Sequence, residues 1–483
     1  MASLGTIQHE SGTAVSIANL PAIILGLLER APGRSLHEAQ GNSGLFVRYL
    51  RRKPGRGLAI VYQAGNGGSA SGRSVTVTIG EPALVGTRIG LRARQLEQAS
   101  LELRAPGVLT TDVGLTVQVF PADSGLPALA AACAPDPGSP LFRALERAAR
   151  VQLSDAGCRL ISAKAEPVRY NPASRCVIRY RIALENSTGK CVLQREMTLF
   201  GKVYRDPGQA REVHAWMHQF YAEHARSGEP IVPRPLGIVE SLGLTLSEAI
   251  EPPQGAAPET LRTGLSVFTP RGSEEVFDVI SDRELRLTAI ALARLHTSAV
   301  WPLGAPRTGA VEARRVSERA AEIASRYPAQ AEIAQKIANQ LTGRLEKLQP
   351  GDYRPAHGGF KASQLLFLPR RVFVIDFDGL CLADPALDAG YFLAYLRPSG
   401  LWHHRARMRQ WFEDASTSFS TAYGQALREH GVEKALVNGI LERIRLYEAA
   451  ILFKVATRGV HHLNSPRPRE LSAMLAEAVD LMK

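Results

Sequence analysis

The sequence predicts an α+β protein, β-rich in its first half and helical in its second, on three observations. Up to about residue 250, short apolar segments, several alternating at period two, are separated by Gly, Pro and Ser. Beyond that point apolar residues recur at helical spacing over long stretches. Within the β-rich half, PDPGSP (135–140) reads as a linker and sets an N-terminal β-rich domain apart from the rest of the chain. The chain has 483 residues, roughly two to four domains at the usual domain size. At 45% hydrophobic and 22% charged it has the composition of a soluble globular protein, and it is long enough to bury cores without disulfide or metal.

Residues 1–18 are polar and without apolar periodicity, as a loose tail would be. In a domain spanning 19–140, GLAIVYQ (57–63) and SVTVTIG (74–80) are strands on either side of the loop QAGNGGSASGRS (63–74). GLTVQVF (114–120) is a third strand, followed by the turn PADSGLP. The amphipathic helix LFRALERAARVQL (141–153) opens a second region, 141–252. There, EPVRYNPASRCVIRYRIAL (166–184) reads as a hairpin about the turn NPAS, and EMTLFGKVY (196–204) as a strand. QAREVHAWMHQFYAEHA (209–225) reads as a helix, and LTLSEAIEPPQG (244–255) as a strand entering a Pro/Gly connection. In the last region, 253–483, helices are expected at 283–299, 312–349 and most of 402–482. One β island interrupts them: QLLFLPRRVFVIDFDG (364–379), two short strands joined by a Pro-Arg turn.

KPGRGLAIVY (53–62) and NPASRCVIRY (171–180) both place a Pro eight residues before a Tyr. The first is either a degenerate copy of the second or an unrelated Arg-rich hairpin. No Lys lies between Lys53 and Lys164. The N-terminal domain therefore lacks a strand Lys to grip phosphates, and a structural or regulatory cap is expected.

The formal charge of +12 favours anionic ligands such as nucleotides and phosphates. The basic residues form no long run and no recognisable nucleic-acid module, so nucleic acid is not an expected partner. Five Cys (Cys133, Cys158, Cys176, Cys191, Cys381) without CxxC spacing argue against a secreted disulfide framework or a Cys-rich zinc site. The apolar run Leu20–Leu28 is too short to span a bilayer. It follows a single charge, Glu10, unlike a signal peptide. No membrane association and a cytoplasmic location are expected.

Chemistry concentrates in HGGFKASQLLF (357–367), VFVIDFDG (372–379) and ADPALDAGYFLAYL (383–396). Phosphoryl transfer spreads charge over oxygens that Mg²⁺ and cationic side chains must neutralise, so carboxylate and amide oxygens have to converge on the metal. Asp376 at a strand end and Gln364 at the end of the preceding loop are placed for that, and Lys361 of the same loop is placed to meet the transferred phosphate.

These three segments resemble the catalytic core of the aminoglycoside phosphotransferase/choline kinase-type branch of the protein-kinase-like fold. That family shows His-Gly-Asp, four residues, Asn or Gln, a strand ending in Ile-Asp-Phe/Trp, then Gly-Asp-Pro and a further Asp. His357, Gly358, Gln364, Asp376, Asp384, Pro385 and Asp388 stand at the matching positions, and Gln as metal ligand is similar to maltokinase-like members. The resemblance covers roughly 155–480. It implies a two-lobed fold, a β-rich small lobe and a helical large lobe, using ATP and Mg²⁺. NPASRC, with Pro172 and Arg175, would be the phosphate-covering turn, Lys202 the strand Lys on the phosphates and Glu212 its helix partner. ALARLH (291–296) resembles the helix before the catalytic loop. The adenine edge would meet backbone around Ser247 to Glu251, Glu248 included.

Position 359 is Gly where the family has its catalytic Asp. General-base catalysis contributes roughly 10² to 10⁴ in rate, whereas phosphoryl transfer rests mainly on positioning and charge neutralisation. Two readings stay open. One is a phosphotransferase acting on a small hydroxylated acceptor, with Asp378 or Asp352 standing in for the missing base. The other is a nucleotide-binding pseudokinase or scaffold, with a protein partner on its N-terminal domain. From Leu401 to Lys483 there are 12 Lys+Arg against 9 Asp+Glu, a poor surface for a polycationic aminoglycoside. A neutral sugar or alcohol, or an anionic acceptor, fits better. His357 is expected to brace the loop, and Asp388 to accept loop N–H bonds. The doublets His403-His404 and His461-His462 are not metal pairs, because adjacent helical residues diverge. STGKC (187–191) lacks the Gly-rich stretch of a phosphate loop and reads as a hairpin turn.

Overall fold

The computed structural model describes residues 20–30, 45–53, 57–64, 74–80, 84–85, 88–89, 91, 93–188, 191–225, 228–252, 255–269, 282–349, 352–398, 406–457 and 471–483. The expected tail, most of the loop at 63–74 and both His doublets lie outside them. The chain divides into two compact units: Met1–Arg211 with Leu236–Leu246 and His461–Asn464, and Glu212–Pro235 with Ser247–Val460 and Ser465–Lys483.

In the first unit, α1 (Leu20–Arg30) covers a six-stranded antiparallel sheet: β1 (Leu45–Lys53), β2 (Gly57–Ala64), β3 (Ser74–Ile79), β4 (Leu101–Ala105), β5 (Val108–Thr111) and β6 (Leu115–Val119), in the order β1-β2-β3-β6-β5-β4. The period-two segment at 74–80 puts Val75, Val77 and Ile79 into one core with Leu20, Ile24, Leu27 and Leu28 of α1. A second sheet has the order β10-β11-β9-β8-β7, built from β7 (Arg159–Asn171), β8 (Arg175–Thr188), β9 (Cys191–Tyr204), β10 (Pro235–Val239) and β11 (Leu244–Glu248).

Helix α2 (Pro140–Leu153) lies on this second sheet, and its start is written in the linker. Ser139 Oγ accepts from Phe142 N at 3.0 Å and Pro140 occupies the first turn. Leu141, Leu145, Ala148 and Ala149 of α2 share a core with Ile178, Tyr180, Ile182 and Leu199. Gly201 is required there: a Cβ would come within 2.6 Å of the Tyr180 ring. The two Pro-to-Tyr segments occupy equivalent places, β2 between β1 and β3, and β8 between β7 and β9. STGKC is the β8–β9 hairpin connection, Thr188 pairing with Cys191.

Helix α3 (Pro207–Ala225) runs from the first unit into the second. The second unit then holds α4 (Asp282–His296), α5 (Gly309–Arg326), α6 (Ala331–Leu345), α7 (Ala386–Leu396), α8 (Ala406–Glu429), α9 (Lys434–Ala456) and α10 (Leu471–Asp480). The helical stretch expected at 312–349 holds two helices, α5 and α6, because Pro328 cannot continue α5 and starts a 3₁₀ turn between them. Between α6 and α7 come β12 (Arg354–Ala356), β13 (Leu365–Leu368), β14 (Arg371–Val374) and β15 (Cys381–Ala383), paired β12–β15 and β13–β14.

Arg397, 3% exposed, ties three helices together. It pairs with Glu448 of α9 at 2.6 Å and with Glu477 of α10, and stacks 4.1 Å over the Phe412 ring of α8. Among the described residues no helix is long and apolar enough to cross a membrane. Cys133, Cys158, Cys176 and Cys381 are free thiols.

Candidate active site

The loop after β12 turns on Gly358, at φ +73°, where a Cβ would lie 2.1 Å from the Gly379 carbonyl oxygen. Only glycine fits such a position. The loop wraps a buried carboxylate: Asp388, near the start of α7, accepts from His357 N (Oδ2, 2.5 Å) and from Phe360 N (Oδ1, 3.3 Å). His296 of α4 lies 3.4 Å from Asp388 Oδ2, and its other ring nitrogen is 2.6 Å from Tyr423 Oη. Burial pushes the Asp388 carboxyl up, but the His296 contact and the loop N–H bonds outweigh it and hold it below the usual carboxylate range.

His357 is sealed between Phe360 and Phe377, and burial depresses its pKa. Its Nε2 faces the Ile375 carbonyl at 3.1 Å. That carbonyl requires a donor, so the proton sits on Nε2 and Nδ1 is left as an acceptor, which has no partner. His357 is thus a neutral brace between the loop and β14.

The backbones of Gln364 and Asp376, the expected metal ligands, lie close together in the fold. Ile375 N donates to the Gln364 carbonyl at 2.9 Å, extending the Leu365–Val374 pairing by one residue. Gln364 therefore stands beside the residue that precedes Asp376. The Gln364 side chain is 6% exposed, and its Oε1 has no hydrogen-bond partner. Asp376 is half-buried in a left-handed conformation, φ +74°, a geometry that Asp tolerates better than most residues. Gln364 N donates to the Lys361 carbonyl at 2.9 Å, and Lys361 Nζ lies 5.5 Å over the Tyr395 ring. Asp378 is half-buried in the turn Phe377–Gly379. Gly359, unlike Gly358, has open space where a Cβ would project.

The expected nucleotide contacts divide between the units. In the first, Lys202 pairs in register with Val177, its Nζ 5.2 Å over the Tyr204 ring. Pro172 and Arg175 flank Ala173, which has φ +55°. In the second unit, Glu212 lies on α3, and Glu248 Oε1 accepts from Arg234 N at 2.7 Å.

Two residues escaped the sequence reading. Asp123, 5% exposed, accepts from Tyr170 Oη (2.6 Å) and Ala173 N (2.8 Å), pinning the β7–β8 turn to the segment after β6. PADSGLP showed only a turn. Arg307 donates to the Gly358 carbonyl at 2.7 Å and pairs with Glu312 at 2.5 Å; nothing in its sequence context marks it.

Residues 180–436 match the family model described as APH, phosphotransferase enzyme family. The match spans more than half of the chain. The protein belongs to this family. Its mixed architecture, β-rich before α3 and helical after it, is the expected kinase-like fold class. Solved structures similar to it include a glucosamine kinase in complex with glucosamine, ADP and inorganic phosphate (16% identity, 79% of this chain and 93% of that one, TM-score 0.43). A putative aminoglycoside phosphotransferase from Ralstonia eutropha is 16% identical over 70% and 97% of the two chains, with TM-score 0.44. Choline kinase LicA from Streptococcus pneumoniae is 12% identical over 71% and 99%, with TM-score 0.37. No curated protein matches. Among the described residues no three His, Cys, Asp or Glu side chains form a metal-sized group.

Proposed function

We propose that the protein is an ATP- and Mg²⁺-dependent phosphotransferase acting on a small hydroxylated acceptor through a modified catalytic loop. The observation that carries this reading is the buried, unpartnered Oε1 of Gln364, a residue whose backbone carbonyl takes the N–H of Ile375, next in the chain to Asp376. A buried acceptor left unsatisfied costs about 1–3 kcal/mol, a cost that a bound cation removes. One amide and one carboxylate oxygen suit Mg²⁺, which keeps waters and phosphate oxygens in its remaining positions. Held by Gln364 and Asp376, the ion would neutralise charge on the transferred phosphoryl group.

Lys202 and the turn around Pro172 and Arg175 bind the nucleotide phosphates. Backbone near Glu248 meets the base. Lys361 contacts the transferred group. The acceptor oxygen bonds to the γ-phosphorus as its bond to the bridging oxygen breaks, ADP leaves with that electron pair, and the hydroxyl proton is released. Gly359 cannot take this proton, and Asp378 is the stand-in.

Gly359 also favours a second reading, a pseudokinase that binds nucleotide without transfer and engages a protein partner through its N-terminal sheet. Calorimetry of Mg²⁺-ATP binding tests both readings at their common root. Asp376→Ala and Lys202→Ala should each weaken binding about tenfold or more, and removal of Mg²⁺ should weaken it in wild type. No binding to wild type at millimolar nucleotide sinks both readings. Where binding holds, an acceptor screen separates slow enzyme from pseudokinase.

A further inference from the structure

Behind the catalytic loop, α5 presents Glu312, Arg315 and Arg319 on one face, each about one turn from the next. Arg307, whose side chain is 9% exposed, precedes this helix, and Lys454 approaches from α9. The groups converge on Tyr391 of α7. Lys454 Nζ donates to Tyr391 Oη at 2.7 Å, and Arg307 Nη2 approaches the same oxygen at 3.3 Å. Three arginines thus face one carboxylate, Glu312, 1% exposed, whose Oε1 takes both Arg307 (2.5 Å) and Arg315 (2.8 Å), and Lys454 adds a fourth cation at Tyr391. Arg319 Nη1 is buried and has no partner. Burial pushes the Arg319 guanidinium pKa down and the neighbouring Arg315 and Arg307 add to this, with only Tyr391 and Glu312 opposing.

Excess positive charge out of water is costly unless an anion answers it. The cluster reaches solvent at Arg315, whose side chain is 39% exposed. It reaches the reaction centre directly: Arg307 holds the Gly358 carbonyl at 2.7 Å, and Tyr391 stacks on Tyr395, the ring beneath Lys361. A polycation would be repelled here. Arg forks suit phosphate and carboxylate geometry.

We propose that Arg315, Arg319 and Lys454 form an anion-binding subsite beside the catalytic loop, and that the acceptor carries a phosphate or carboxylate group seated there. The assignment to an acceptor rests on the phosphotransferase reading; the anion site does not.

The test is calorimetry on the full chain without nucleotide, using glycerol 3-phosphate, glycerate and glycerol as probes. The first or second should bind at millimolar concentration or tighter and glycerol should not; whichever anion binds tighter identifies the group. Arg319→Gln should weaken anion binding about tenfold. Arg315→Gln, at a more exposed position, should weaken it severalfold and serves if Arg319→Gln does not fold. Mg²⁺-ATP affinity, measured separately, should stay within twofold in both variants. Absence of anion binding to wild type at 10 mM (roughly −2.7 kcal/mol) overturns the proposal. So does anion binding that neither substitution changes, which makes Arg319 a counter-ion of the unpartnered Glu312 Oε2. Anion binding with no nucleotide binding refutes the phosphotransferase reading and leaves the subsite standing.

Discussion

Asp388 and Gln364 are both buried polar side chains of the second unit, 0% and 6% exposed, yet their surroundings treat them oppositely. Both Asp388 oxygens accept backbone N–H bonds from the loop, and His296 adds a third contact. Arg397, Glu448 and Glu477 are matched in the same way among the C-terminal helices. Gln364 Oε1, His357 Nδ1 of the same loop and, on α5, Arg319 Nη1 and Glu312 Oε2 are instead unmatched. Complete pairing marks groups that hold the fold, because an unpaired polar atom in low dielectric is expensive. An unpaired atom among candidate ligand-binding groups marks a place where a ligand can complete the structure.

The largest expected effect breaks the paired side. Asp388→Ala strands the N–H groups of His357 and Phe360 and removes the partner of His296, and should cost about 3–5 kcal/mol in urea unfolding. The pH dependence has a definite sign. Burial depresses the folded pKa of His357, and Asp388 is also held low. Their contributions are therefore fully present above the unfolded values, about 6.5 and 3.9. Stability should fall as pH drops below about 6.5, by about 1.4 kcal/mol per unit for each extra proton the unfolded state binds. The Asp388 share, near pH 4 and below, should vanish in Asp388→Ala. A profile flat from pH 7 to 4 would remove the buried hub from the account.

The two loop glycines repeat the contrast on a smaller scale. Gly358 is locked by φ +73° and the Gly379 carbonyl, whereas nothing lies within 4 Å of a Cβ on Gly359. Gly359→Asp should therefore fold normally, and if the protein transfers phosphate slowly, turnover should rise by roughly 10² or more. Gly358→Ala should lose about 1–3 kcal/mol of stability instead. Unchanged turnover in a well-folded Gly359→Asp protein that binds Mg²⁺-ATP favours the pseudokinase reading.

The range of each interaction decides how much of the molecule was legible in its sequence. The hairpins and α2 are local, so spacing and turn residues show them, whereas the Ser139–Pro140 start of α2 reads in the sequence only as linker. The Pro328 break between α5 and α6 is equally local. Asp123 on the β7–β8 turn, 50 residues from Ala173, and Arg307 on Gly358, 51 residues away, are tertiary contacts of single side chains. No periodicity records such contacts, and the anion cluster built on Arg307 was hidden for the same reason.

The smallest expected effect tests whether an unmatched atom always signals a ligand. Tyr62 and Tyr180 end the two Pro-to-Tyr segments, and both are fully buried in the first unit. Tyr180 Oη donates to the Ala132 carbonyl at 2.7 Å; Tyr62 Oη has no partner. Tyr62 lies in a core of Leu, Ile and Val side chains, with no second unmatched polar group in that cluster among the described residues, so its hydroxyl is a cost without a ligand to recover it. Tyr180→Phe should lose about 1 kcal/mol, whereas Tyr62→Phe should be neutral or stabilising by about 1 kcal/mol, with Mg²⁺-ATP binding unchanged in the latter. Equal losses in both would mean that Tyr62 Oη is hydrogen-bonded in solution. An isolated unmatched atom would then say nothing, and only one that stands among candidate ligand-binding groups, as at Gln364 or Arg319, would carry the functional reading.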